Sequence, residues 1–130
     1  IEEFATTARH NTITVDASGQ SFGPATVRRW EVTPQYDLID ASHNLYKGVV
    51  HRRRVLFLKD VCWLVVDSMT ADDLHTYTMN WHFRDTMMPE PRGISCQRMF
   101  VGGPGAVSIV TPIRFRPSSR ARSSCTGVRR

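Results

Sequence analysis

The sequence predicts an all-β protein, an antiparallel β-sandwich ending in a disordered basic tail. Three observations predict it. Apolar residues alternate with polar ones, as in Ile13-Thr14-Val15 and across residues 74–83. Gly, Pro, Asn and Asp break the chain at short, regular intervals. No segment repeats its apolar residues at a convincing helical period, and about eight short strands between turn signals read as a sandwich.

The elements follow in order. Residues 1–7 read as the end of a connection, with Phe4 as an anchor. Ala8-Arg9-His10-Asn11 then reads as a turn leading into a strand around which the sheet is expected to be built. Ile13 and Val15 take its core face, and His10, Thr12 and Thr14 the other. Asp16-Ala17-Ser18-Gly19-Gln20 is a turn, and Gly23-Pro24 a second break. Residues 26–32 form a strand whose largest apolar group is Trp30, and Pro34 interrupts it. Residues 36–43 form the next, with a turn between Asn44 and Gly48. Residues 49–58 and 62–66 make a hairpin across Lys59-Asp60. Residues 67–73 read as a polar connection. In 74–83, His75, Tyr77, Met79, Trp81 and Phe83 share one face. Pro89, Pro91 and Gly93 mark a loop, and Gly102-Gly103-Pro104-Gly105 separates strands over 94–101 and 106–111. Residues 1–115 are thus expected to form one partial sandwich domain.

Composition bounds the function. The chain has 130 residues, 41% of them hydrophobic, enough for one domain with a real core. No apolar run of about 18 residues is present, so no membrane-spanning helix is expected. The chain begins with Ile1, which reads as a cut, so any targeting segment would lie upstream. Net charge is +5, unevenly spread. Residues 1–90 hold nine Lys or Arg and twelve Asp or Glu, a net of −3, whereas residues 91–130 hold eight Arg and no acid. A uniformly basic nucleic-acid surface is therefore not expected. Residues 116–130 are Arg/Ser-rich and expected to be disordered, read either as a basic arm or as an out-of-frame reading of GC-rich DNA.

Chemistry-bearing residues are few. Cys62, Cys96 and Cys125 lack metal-site spacing. Cys62 sits in an apolar run and reads as a small buried hydrophobe, with a Cys62–Cys96 disulfide left open. His51 with Arg52, Arg53 and Arg54 reads either as a binder of acidic glycan or of a phosphate backbone, or as a charged strand end or sheet edge. No aromatic interleaves that run, which counts against nucleic acid. His82 beside Trp81 reads either as a group facing a sugar or as a packed strand histidine, and Tyr36, Tyr46 and Tyr77 read as core or surface aromatics rather than a catalytic Tyr. No Ser/His/Asp triad, phosphate loop or carboxylate pair stands out, so no catalytic residue is assigned. His10 reads as a turn histidine bonded to backbone.

One ordered series of motifs goes further. Thr6-Thr7-Ala8-Arg9-His10-Asn11-Thr12-Ile13-Thr14-Val15-Asp16 comes first. Tyr36-Asp37-Leu38-Ile39-Asp40-Ala41-Ser42-His43 and Val50-His51-Arg52-Arg53-Arg54-Val55-Leu56-Phe57-Leu58 follow. Trp63-Leu64-Val65-Val66-Asp67, His75-Thr76-Tyr77 and Trp81-His82-Phe83 complete it. Together they resemble the C-terminal β-sandwich region of heparinase II/III-like polysaccharide lyases, over about residues 5–85. One departure is Asp16-Ala17-Ser18-Gly19, where that family usually has Asp-Gly directly.

The resemblance implies a lyase that cleaves uronate-containing acidic glycans, heparan-type, alginate or another, by β-elimination. It implies that base, acid and a helical toroid lie in an N-terminal part of the same parent chain, so that the present chain alone is inactive. It implies a divalent metal, zinc above all, for which His10 of the His-Asn-Thr motif is the last ligand, the others lying upstream of Ile1. It implies a periplasmic or secreted protein, with acidic polysaccharide as partner and neither nucleic acid nor membrane. The other class left open is a non-catalytic β-sandwich that binds glycan or supports a neighbouring domain. If strands are missing upstream, Trp30, Tyr77, Met79 and Trp81 are expected to lack full cover.

Overall fold

The structure, a computed structural model, describes residues 5–82, 95–114 and 128–129. The Phe4 anchor, Phe83, the loop at 89–93 and most of the tail expected to be disordered lie outside the described residues. Among the described residues, nine strands follow a short 3-10 turn, Thr7–Arg9. They are β1 (Ile13–Val15), β2 (Thr26–Val32), β3 (Tyr36–Tyr46), β4 (Val49–Leu58), β5 (Cys62–Ala71), β6 (His75–His82), β7 (Ser95–Gly102), β8 (Gly105–Arg114) and β9 (Val128–Arg129). Of the expected tail, Val128 and Arg129 are described, and they pair with β8.

The strands form two antiparallel sheets, one ordered β1-β6-β7 and the other β2-β3-β4-β5-β8-β9. The all-β sandwich expected from the sequence is thus present. β1 is not the centre of its sheet, however. It lies at the edge of the smaller sheet, paired only with β6 among the described residues. The centre of the larger sheet is the β3–β4–β5 meander, which register fixes over ten or so residues per pair. Its turns are short. Gly48, at φ 74°, lets the chain reverse between Tyr46 and Val49. Asp60, at φ 62°, does the same between β4 and β5, in the turn expected there.

Three strands run further than sequence pattern suggests. β3 continues to Tyr46, β8 to Arg114, and β5 through Asp67, Ser68, Met69 and Thr70 to Ala71. The polar connection expected at 67–73 is therefore strand for most of its length. Its polar residues alternate between the two sheet faces, and cross-strand partners supply what a loop would have taken from water.

The core lies between the sheets. Ile13, Val15, Tyr77, Met79 and Trp81 of the smaller sheet meet Tyr46, Val49, Val65, Met69, Ala71 and Ile109 of the larger. Tyr77, Met79 and Trp81 are thus covered, contrary to the expectation that they would lack partners. Complete burial of such groups contributes about 1.5–3 kcal/mol each. The expectation holds for Trp30, which is 68% exposed beside the equally open Val32. Trp30 shares a row with Ile39 and Val55, and Val32 one with Asp37 and Phe57. Cys62 is a free thiol, so the Cys62–Cys96 disulfide is not formed.

Candidate functional site

The loop before β1 is fixed from several directions. The turn closes itself through Arg9 N–H to Thr6 O at 3.0 Å and His10 N–H to Thr7 O at 3.1 Å. Two residues of β6 then hold it. His82 places Nε2 2.8 Å from Ala8 O, and its backbone N–H donates to Asn11 Oδ1 at 2.6 Å. Asn80 donates its N–H to Thr12 O at 2.8 Å. From the larger sheet, Arg53 Nη1 donates to Asn11 O at 2.5 Å. Every residue flanking His10 is therefore pinned, which fixes where its imidazole starts.

The imidazole itself is not pinned. His10 is exposed, and among the described residues its ring has no hydrogen-bond partner. The expected turn histidine bonded to backbone is not what is seen. The ring borders an open cavity of about 640 Å³ lined by Thr7, Thr12, Gln20, Ser21 and Phe22. The backbone on either side of His10 is thus held in place while its imidazole faces solvent. No group of three or more His, Cys, Asp or Glu able to hold a metal occurs among them. His10 can thus supply one arm of a metal site, whereas tight zinc sites use at least three protein ligands.

Behind the loop lies a buried polar network that sequence reasoning missed. Asp67 is fully buried on β5. Its Oδ1 is 2.7 Å from His51 Nε2 and 2.6 Å from Arg53 Nε, and its Oδ2 accepts from Arg53 Nη2 at 2.9 Å. Burial pushes the Asp67 carboxyl up, but the bonds from His51 and Arg53 outweigh it and hold it below the ordinary value. An ionised Asp67 requires His51 Nε2 to carry the proton it donates. His51 Nδ1, buried and without a partner among the described residues, faces a small cavity of about 130 Å³ lined also by Thr12, His43 and Arg53. His43 stands edge-on to His51 at 5.1 Å, and burial above all lowers its pKa, with the nearby Arg53 guanidinium adding to it. Tyr46 donates its hydroxyl to Ile13 O, and burial pushes that phenol up to about 12.

The basic run is thus split by the period of the strand. His51 and Arg53 point inward to Asp67, while Arg52 and Arg54 point outward. Arg52 grips Asp40 through Nε at 2.8 Å and through Nη2. The run is not at a sheet edge or strand end, because β4 lies between β3 and β5. The other singled-out residues have packing roles. Tyr36 donates to Glu31 Oε2 at 3.1 Å, Tyr77 stacks on Phe100 at 5.3 Å, and His82 is one of the loop anchors. One signal could have exposed the network. His51 and Arg53 share a face with Val49 and Val55, so that face demanded a buried acid on the returning strand, and Asp67 has the right phase.

Comparison with known proteins agrees with this architecture. The model of the heparinase II/III-like, C-terminal family matches residues 2–120. The heparin-sulfate lyase of Pedobacter heparinus is 24% identical over 80 residues, which are 62% of this chain and 12% of that protein. A mutant of heparan sulfate lyase HepC from Pedobacter heparinus superposes with a TM-score of 0.65 at 17% identity, covering 90% of this chain and 26% of that one. Heparinase III gives a TM-score of 0.58 at 11% identity, covering 85% of this chain and 24% of that one. The chain spans about a quarter of the length of these solved relatives.

Proposed function

The chain belongs to the heparinase II/III-like, C-terminal family, and from that membership we propose that it is the C-terminal β-sandwich part of a polysaccharide lyase acting on uronate-containing acidic glycans. The single observation that carries this reading is the family match over nearly the whole described sandwich, with relatives named as heparin and heparan sulfate lyases.

The reaction proposed for the whole protein is β-elimination. A base removes the proton alpha to the uronate carboxylate, the C–O bond to the neighbouring sugar breaks, and an acid protonates the leaving oxygen. Among the described residues no general base and acid converge on an open site, so those groups are assigned to an N-terminal part of the parent protein, a helical toroid. The present chain supplies shape and support. Asn11, His82 and Arg53 hold the His10 loop at the sandwich surface, and the Asp67 network ties that loop to the larger sheet.

His10 is proposed as one ligand of a divalent metal, zinc being the best fit to an imidazole donor. Bound there, such a metal would brace the sandwich surface that faces the cleft, with further His or Asp ligands from upstream. A periplasmic or secreted location suits an extracellular polymeric substrate.

The test uses the full-length protein and the present chain side by side. Absorbance of the unsaturated product is followed on heparan-type, alginate and other uronate polymers. Turnover is expected from the full-length protein and none from the chain alone. Full-length protein inactive on every uronate polymer would overturn the lyase reading and leave the non-catalytic module. Metal content is measured with and without His10→Ala, and equal content in both would remove His10 from the site.

A further inference from the structure

The two faces of the larger sheet differ in a way that the lyase reading does not use. Its inner face is the core. On its outer face, the register puts Asp40 beside Arg54 and Ser42 beside Arg52, with Ser68 next to Arg52 on β5 and Ser108 next to Ser68 on β8. β2 adds two more guanidiniums. Its register slips between Val27 and Arg29, and at such a bulge two residues oppose one and turn toward the same side. Arg28 Nε accordingly donates to Ser42 Oγ at 2.9 Å, while Arg29 pairs with Glu31 at 2.5 Å.

Four guanidiniums therefore share this face with two carboxylates, and both carboxylates are taken. Asp40 is gripped by Arg52 and Glu31 by Arg29. Arg28 and Arg54 are left with neutral hydroxyl partners, Ser42 and, at 3.4 Å, Ser68. Arg54 Nε is buried beneath the face and has no partner among the described residues, so only the outer end of this guanidinium can meet a ligand. Guanidinium donors on hydroxyls gain when a carboxylate or sulfate replaces them, because charge-assisted bonds are about twice as strong as neutral ones.

We propose that this outer face, centred on Arg28 and Arg54 and flanked by Arg52 and Arg29, is a docking surface for a polyanionic glycan, on the opposite side of the sheet from the His10 loop. The glycan class rests on the lyase reading; the surface itself rests on the charges and hydroxyls above. The arginines stand on β2 and β4, whose backbones lie about 10 Å apart with β3 between them, and positions two residues apart on one strand are about 7 Å apart, so a chain with repeated acidic groups meets several at once. Beside Arg52 and Arg54 lie the half-buried hydroxyls of Ser68 and Ser108, bonded to each other at 2.8 Å, whereas Ser42 is buried beneath Arg28. Aromatic rings on which bases could stack do not interleave them.

The test measures binding, not turnover, and so stands apart from the lyase assay. The 130-residue chain is titrated with heparin, with a non-sulfated uronate polymer and with duplex DNA of similar length. Arg28→Gln and Arg54→Gln are each expected to weaken heparin binding about tenfold or more. Lys47→Gln, which removes the same charge from the exposed β3–β4 turn, is expected to change it less than twofold. Binding of heparin alone assigns the surface to sulfates, and binding of both glycans extends it to carboxylates. Equal losses in all three variants would reduce the effect to general basicity and overturn the proposal. DNA bound as tightly as heparin, with the same losses, would overturn the glycan assignment. Should Arg54→Gln disturb the sheet by circular dichroism, the exposed Arg28→Gln decides the matter.

Discussion

His51 and Asp67 meet at 2.7 Å, with the whole of both side chains buried and Arg53 closing the other side of the carboxylate. Three charge-bearing groups thus occupy positions where the strand pattern would place apolar ones. The arrangement depends on all of its members, because Asp67 and His51 are buried and each would lose a partner, whereas Arg53 is partly exposed and also bonded to Asn11 O.

Removing the shared acid is expected to be costly. Asp67→Ala leaves Arg53 and His51 facing an empty, dry position, and breaking a buried ion pair from one side costs about 3–5 kcal/mol. Small domains have about 5–15 kcal/mol in total. Urea unfolding monitored by circular dichroism should therefore show a transition moved strongly to lower denaturant, or no folded baseline. A shift under about 1 kcal/mol would mean that the network contributes little.

The same carboxylate sets an acid limit. Asp67 is held below its ordinary pKa, as are Asp40 through Arg52 and Asp16 through His75. A lowered folded pKa stabilises the fold above the unfolded value of about 3.9 and stops doing so as pH falls through the folded value. Thermal midpoints should be level from neutral pH to about pH 5 and drop below about pH 4. Asp67→Asn should flatten that drop at the cost of lower stability throughout. An unchanged acid limb in this variant would move the effect elsewhere.

The turn after β1 contains a correctable strain. Asp16 and Ala17 both have positive φ, 49° and 58°, and close a two-residue turn through Ser18 N–H to Val15 O at 2.8 Å. Asp tolerates this conformation and also anchors Thr76 N–H and His75. Ala17 does not gain from it, and a side chain there costs about 1 kcal/mol or more relative to glycine. Ala17→Gly, which restores the Asp-Gly pair usual in the family, should raise stability by about 0.5–1 kcal/mol in denaturant unfolding. A loss of stability would show that the turn is not strained.

The anchoring of the His10 loop can be weakened without touching His10. Asn11→Ala removes the acceptor of the His82 amide and should cost about 1 kcal/mol. Hydrogen exchange at His82 should quicken about fivefold while Ile13 and Val15 in β1 stay protected. In the full-length protein, metal affinity should fall about 10–100-fold with His10 intact. Unchanged exchange at His82 would mean that the loop is held by its other contacts alone.

Much of the fold was legible in the sequence because alternation and turn chemistry are local. Ile13-Thr14-Val15, the Lys59-Asp60 turn and the alternation of Tyr77, Met79 and Trp81 report their own geometry. The second half of β5 was not legible, because Asp67, Ser68 and Thr70 are strand residues only by virtue of what faces them across β4 and β8. The covering of Trp81 and the exposure of Trp30 follow from which sheet lies over which, and no local pattern carries that. Of the site, His10 was legible only through resemblance. The Asp67 network required the register that places Arg53 opposite Asp67.

The tethers of the His10 loop also determine when it can be built. Asn11 and its partner His82 are 71 residues apart in the chain. At a synthesis rate of about 5–20 residues per second, Asn11 waits roughly 4–14 s for the amide that will hold it. The β3–β4–β5 meander needs no such delay, since each strand follows its neighbour directly. The loop that presents His10 is therefore secured only once β6 has emerged, later than the meander but before β7 and β8. Any ligand that needs it reads out a chain in which β1 has already paired with β6.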